Sequence, residues 1–185
     1  MCVTPSVGTI TLALCAFFVA PTVGKATQKL PRNVTDAFEL FGSFPYVVLE
    51  YTSGDDPIFQ CLTNKRVQLD MKKQTATYVW MFKGHGGTKK KDIALHLRAG
   101  DAPDKVIFTL DDDADNFYPA HFVYTDYRSC VIVNIDYQGM QCQLWVAAKY
   151  KYDIPQHCLE QLEDICDVAV EAYLPELCKD NKDNL

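Results

Sequence analysis

Between Phe44 and Ala147 the apolar positions recur mostly at every second residue, the period of a strand whose two faces meet different surroundings. Phe44–Thr52 reads as a first strand, closed by the turn Ser53-Gly54-Asp55-Asp56-Pro57. Ile58 to about Met71, carrying Cys61, predicts a second strand, and Thr75–Lys83, rich in β-branched and aromatic residues, a third. In Asp92–Ala99, Ile93, Leu95 and Leu97 share one face while His96 and Arg98 take the other. Lys105–Leu110 sets Val106, Phe108 and Leu110 on one side, and Phe117–Tyr127 follows the acidic loop Asp111–Asn116. From Cys130 onward, Val131, Val133 and Ile135 alternate with Ile132, Asn134 and Asp136. The turn Asp136-Tyr137-Gln138-Gly139 then leads into a last strand, Met140 to about Tyr150, because glycine tolerates positive φ.

Two segments step by three and four instead. Ala37, Phe38, Leu40 and Phe41 predict a short helix capped by Thr35 or Asn33 and ended by Gly42. Pro155 opens a second helix, with Cys158, Leu162, Ile165, Cys166, Ala169 and Tyr173 on its apolar face. Eight closely spaced strands flanked by a helix at each end make an all-β domain. Several strands are apolar on both faces, more than one core layer requires. An eight-stranded antiparallel up-and-down barrel, whose interior can hold one small ligand, therefore suits the pattern better than a sandwich.

The ends of the chain refine this. Thr9–Val19 is an apolar run too short to span a bilayer and is followed by small residues, so residues 1–26 read as a secretory signal peptide. Residues 27–185 form one domain, with Thr27–Arg32 as a mobile polar lead-in and Asn181–Leu185 as a charged tail. Cleavage would remove Cys2 and Cys15 of the eight cysteines and leave Cys61, Cys130, Cys142, Cys158, Cys166 and Cys178. An even set in a secreted chain implies disulfides but leaves their connectivity open. Asn33-Val34-Thr35 is then a glycosylation acceptor. A net charge of −6 argues against nucleic acid as a partner, and no second apolar segment reaches membrane-spanning length.

Candidate chemistry follows from facing. If the second helix lies outside the barrel, Cys130 and Cys142 must point outward to reach it. Val131, Val133, Ile135, Gln143, Trp145 and Ala147 then point inward, forming a lining without charge. Tyr78, Trp80, Phe82, Phe108, Phe122, Tyr124 and Trp145, with Val48 and Leu95, are the candidate walls of a ligand cavity. Gln143, Tyr78 and Tyr124 could supply its few polar groups, and Glu50 its one acid.

Other features read as ordinary surface. Asp111, Asp113 and Asp115 alternate like the start of a calcium loop. Asn116 and Phe122 stand where its glycine and glutamate belong, so this is a solvated hairpin tip. Lys89-Lys90-Lys91 is a solvated loop. His85, His96, His121 and His157 are scattered, with no nucleophile in a recognisable frame, so neither an enzyme nor a cofactor or metal is expected.

At Tyr124-Thr125-Asp126-Tyr127…Cys130, and again at Cys142-Gln143-Leu144-Trp145…Cys158, the sequence resembles the tick salivary lipocalins. That family comprises histamine- and serotonin-binding proteins, leukotriene binders and the cholesterol-binding, dendritic-cell-modulating japanins. The resemblance spans the mature chain in strand order, terminal helices and cysteine placement, although the general lipocalin Gly-x-Trp signature is missing. It implies the bridges Cys61–Cys178, Cys130–Cys158 and Cys142–Cys166, and secretion into saliva. In the amine-binding members an acid follows the first hairpin cysteine and another precedes Leu-Trp; here Val131 and Gln143 stand in those places. A buried ammonium without a carboxylate costs several kcal/mol. The resemblance thus implies binding of a sterol, fatty acid or other hydrophobic small molecule that modulates host immune or inflammatory responses. The alternatives are amine scavenging through Glu50 and other acids, and a host-protein-binding module whose loops engage an immune-cell receptor or a complement component, its cavity incidental.

Overall fold

The computed structural model describes residues 29–178; the expected signal peptide and the charged tail lie outside them. The element order is α1 (Ala37–Ser43), β1 (Tyr46–Thr52), β2 (Thr63–Asp70), β3 (Thr75–Phe82), β4 (Lys91–Ala99), β5 (Lys105–Leu110), β6 (Asp113–Thr125), β7 (Cys130–Asp136), β8 (Met140–Ala147), α2 (Gln156–Ile165), β9 (Val170–Glu171) and α3 (Pro175–Cys178). Strands β2 to β8 pair antiparallel in sequence order, β8 pairs with β1, and β1 returns to β2. The result is a closed eight-stranded antiparallel barrel with one short strand added outside. Closure comes from dividing β1 along its length: Tyr46–Val48 pair with β2, whereas Tyr51 and Thr52 pair with β9.

Two buried clusters result. The lumen cluster joins inward residues of seven barrel strands, with Leu69 of β2 packed against it, to Phe38, Leu40, Phe41 and Phe44 of α1 and its exit. The second lies between the outer face of β1, β7 and β8 and helix α2, with Val48, Ile132, Leu144, Val146 and Leu162 around the cysteines. Disulfides Cys130–Cys158 and Cys142–Cys166 tie the β7–β8 hairpin to α2 and its exit; Cys61–Cys178 ties the turn before β2 to α3. All three pairings are those the resemblance implies.

Several local expectations are corrected. Asp36 caps α1, accepting from the N–H groups of Phe38 and Glu39, in place of Thr35 or Asn33. The second strand begins only at Thr63, because Pro57–Phe59 form a 3-10 turn and Cys61 sits at a φ of 57°, where no strand can pass. The acidic loop shrinks to Asp111 and Asp112, since β6 already starts at Asp113. Asp113 is held there by the Tyr118 hydroxyl and by the Asn116 amide at 2.7 Å. Helix α2 stops at Ile165, with Cys166 extended (φ −101°, ψ 122°), so Ala169 and Tyr173 belong to the returning β9 segment and not to a helix. Nor does the described part of the polar lead-in, residues 29–32, hang free. Arg32 forms an ion pair with Asp164 and donates from Nε to Gln161 at 2.9 Å, strapping the chain onto α2. No helix among the described residues is long and apolar enough to cross a membrane.

Candidate functional site

The two barrel ends are closed differently. At one, α1 is fixed through the backbone: Ala37 N–H donates to Pro103 O at 2.9 Å and Asp36 N–H to the Tyr127 hydroxyl at 2.7 Å. Arg66 donates to the Phe41 and Gly42 carbonyls, and the Tyr78 hydroxyl to Phe44 O at 2.8 Å and Phe41 O at 3.3 Å. At the other end, rings do the closing. Trp80 packs edge-on to Phe82 and Phe108 and tilted to Tyr137, while Tyr118 stacks on Phe108 and meets Tyr137 edge-on.

Between the two ends lies an apolar cavity of about 60 Å³. Of the expected residues, Tyr78, Trp80, Leu95, Phe108, Phe122, Val131, Val133 and Trp145 line it. Register explains the phase: Val131 lies opposite Trp145, Val133 opposite Gln143, and Tyr78 opposite Leu95. Phe82 and Gln143 are also buried on the inner face but do not line the cavity. Gln143 instead accepts from Trp145 Nε1 at 3.0 Å. No charged side chain lines the space.

Three expected residues point elsewhere. Val48 packs in the outer cluster with the cysteines, since Val47 and Leu49 take the inward phase of β1. Tyr124 faces outward opposite Ile132, because a bulge between Phe122 and Tyr124 shifts the alternation by one residue. It borders the surface formed by residues 31–35. Glu50 is the extra residue of a bulge between Leu49 and Tyr51 and lines no part of the cavity. Its neighbours in charge, Glu171 and Lys151, lie outside the barrel. Burial first, then Glu171, pushes the Glu50 carboxyl up to about 8, with Lys151 pulling the other way. Tyr78 is correctly placed, but its hydroxyl is committed to the α1 carbonyls. Burial holds that hydroxyl well above the usual tyrosine range despite the opposing charge of Arg66.

The cavity also takes in Ile135, expected to point inward, and residues not named as candidate walls: Leu40, Phe41 and Phe44 around α1, then Val47, Leu97, Ala120 and Asn64. Asn64 matters most. It lies opposite Val47 and Trp80, and its Oδ1 is buried without a hydrogen-bond partner. Strand β2 reads Thr-Asn-Lys-Arg-Val-Gln-Leu-Asp, too polar for alternation to reveal an inner face.

One grouping mimics a catalytic or metal constellation. Asp126, Ser129 and His157 lie together beside Cys130 and Cys158. Both cysteines are consumed in a disulfide, and Asp126 and Ser129 approach the same His157 nitrogen, at 3.0 and 3.4 Å. A relay needs the two imidazole nitrogens to serve different partners. Asp126 instead organises a turn. Burial would raise its carboxyl, but the Ser129 hydroxyl and the N–H groups of Ser129, Cys130 and Arg128 hold it well below the usual range.

With this geometry established, comparison places the chain. The family model described as tick histamine binding protein matches residues 32–180. The chain belongs to the tick histamine-binding protein family. No curated protein sequence matches. Among solved structures, the tick histamine-binding fold seen here is similar to AM182 in its serotonin complex. The TM-score is 0.57 at 12% identity, covering 77% of this chain and 92% of that one. It is also similar to japanin from Rhipicephalus appendiculatus bound to cholesterol, with a TM-score of 0.55 at 14% identity, covering 79% and 100%. Apocrustacyanin C1 gives a TM-score of 0.54 at 11% identity, covering 71% and 77%. At such identities these likenesses speak for the lipocalin barrel alone.

Proposed function

We propose that this member of the tick histamine-binding protein family is a secreted lipocalin that sequesters a hydrophobic small molecule. A sterol or other lipid is preferred over an amine, and its removal dampens a host immune or inflammatory response. The observation that carries the reading is the lining of the cavity, which is apolar apart from the Asn64 amide and the Tyr78 hydroxyl and Trp145 indole, both already hydrogen-bonded within the protein. Transfer of a lipid into such a space gains roughly 25 cal/mol per Å² of apolar surface removed from water. An ammonium gains nothing comparable, because Val131 and Gln143 offer no carboxylate and Glu50, at the β1 bulge, lines no part of the cavity.

Size sets a condition on this reading. Pockets that bury whole ligands measure roughly 300–1,000 Å³, several times the present cavity of about 60 Å³. Room must come from side chains that move, and the ring-closed end can supply it by rotation of rings, with the Tyr118–Asp113 hydrogen bond to break. Opening the α1 end would break hydrogen bonds to four backbone carbonyls, those of Phe41, Gly42, Phe44 and Pro103. The three disulfides and an exposed Asn33 suit secretion and glycosylation. Calorimetric titration with cholesterol, histamine and serotonin tests the proposal. Saturable heat with cholesterol and none with either amine is expected; the reverse would overturn it.

A further inference from the structure

We infer that Asn64 fixes the polar end of the ligand, and that this polar end is a neutral hydroxyl, neither an ammonium nor a carboxylate. The inference rests on the proposed uptake of a hydrophobic molecule and narrows its chemical class.

Asn64, the second residue of β2, lines the cavity between Val47 on one side and Trp80 on the other. Its Oδ1 is shielded from solvent and has no hydrogen-bond partner. Buried polar atoms are nearly always paired, so an orphan facing a cavity marks a place where a partner from outside belongs. Other polar groups of the lining are already committed. The Tyr78 hydroxyl donates to Phe44 O at 2.8 Å, and the Trp145 indole to Gln143 Oε1 at 3.0 Å.

The donor inventory selects the ligand group. A hydroxyl both donates and accepts, so it satisfies the carbonyl end of the amide and can equally answer its NH₂. A carboxylate has no proton to give to Oδ1. An ammonium brings a full charge into a lining that has no acid to balance it. A sterol or long-chain alcohol, apolar except for one hydroxyl, fits both the walls and the orphan.

The test compares cholesterol with cholesteryl methyl ether, which keeps the apolar body but cannot donate, on the wild type and on Asn64→Leu. Quenching of tryptophan emission reports binding, since Trp80 and Trp145 line the cavity. The wild type should prefer cholesterol by about tenfold, the worth of one hydrogen bond to a buried acceptor. Asn64→Leu should bind the two sterols equally, while its unliganded form melts at a higher temperature than the wild type because the orphan is gone. If that variant fails to fold, Asn64→Ala takes its place, and the wild-type preference is readable without either. Equal binding of both sterols by the wild type, or a preference that survives Asn64→Leu, overturns the inference but leaves lipid uptake standing. Failure of the wild type to bind either sterol overturns both.

Discussion

Trp145 donates its indole N–H to Gln143 Oε1 at 3.0 Å, with both side chains on the inner face of β8 and shielded from solvent. Two residues apart on one strand, they point the same way, so the pair is intrinsic to the strand geometry. It commits a polar residue to the protein instead of to a ligand. Gln143→Leu would leave the indole N–H buried and unpaired, at a cost of about 1–3 kcal/mol. We expect a lowered melting temperature and a shifted tryptophan emission, with cholesterol affinity reduced less than by Asn64→Leu. Thermal melts and fluorescence titration check this.

Glu50 makes stability depend on pH. Its ordinary value is 4.5, and burial with the neighbouring Glu171 raises it to about 8. Between these values the folded chain holds a proton that the unfolded chain has lost. The contribution is therefore complete below about pH 4.5 and is lost as pH rises through 8. Glu50→Gln, neutral at all pH, should melt several degrees above the wild type at pH 8.5 and show little difference at pH 4.5. A melting-temperature profile of the two proteins decides it.

The three bridges should differ in worth. Cys61–Cys178 spans 117 residues and Cys142–Cys166 spans 24. By chain entropy, removing the first costs about 5 kcal/mol and the second about 3. Denaturant unfolding of the paired Cys→Ala variants should show this order. Loss of Cys142–Cys166 should leave the barrel folded, since the Cys130–Cys158 bridge still holds α2.

Ring closure of one barrel end predicts a kinetic effect. The Tyr118 hydroxyl donates to Asp113, which is the first cause pushing it up to about 12. Tyr118→Phe frees a ring that stacks on Phe108 and meets Tyr137 at 5.4 Å. Stopped-flow binding of cholesterol should quicken in both directions, with the dissociation constant changed little.

Much of this architecture was legible in the chain itself. Strict alternation in Ile93-Ala94-Leu95-His96-Leu97-Arg98 and in Val131–Ile135 gave the correct inner faces, since one side of each strand meets only the lumen. Bulges defeated the same logic at Glu50 and Tyr124, because one extra residue reverses every later side chain and leaves no hydropathic trace. Val48 misled for another reason: β1 is buried on both faces, so apolar character could not choose between them. Asn64 stayed hidden in a polar strand. The end of α2 was also invisible, because Ala169 and Tyr173 kept helical spacing after the backbone had turned extended at Cys166.

The central claim is that an uncharged lumen selects a lipid. Organic extraction of the purified, undenatured protein followed by mass spectrometry tests it most directly. We predict a sterol or another neutral lipid at close to one molecule per chain. A protein that yields no lipid, takes up no added cholesterol and binds histamine would contradict the account.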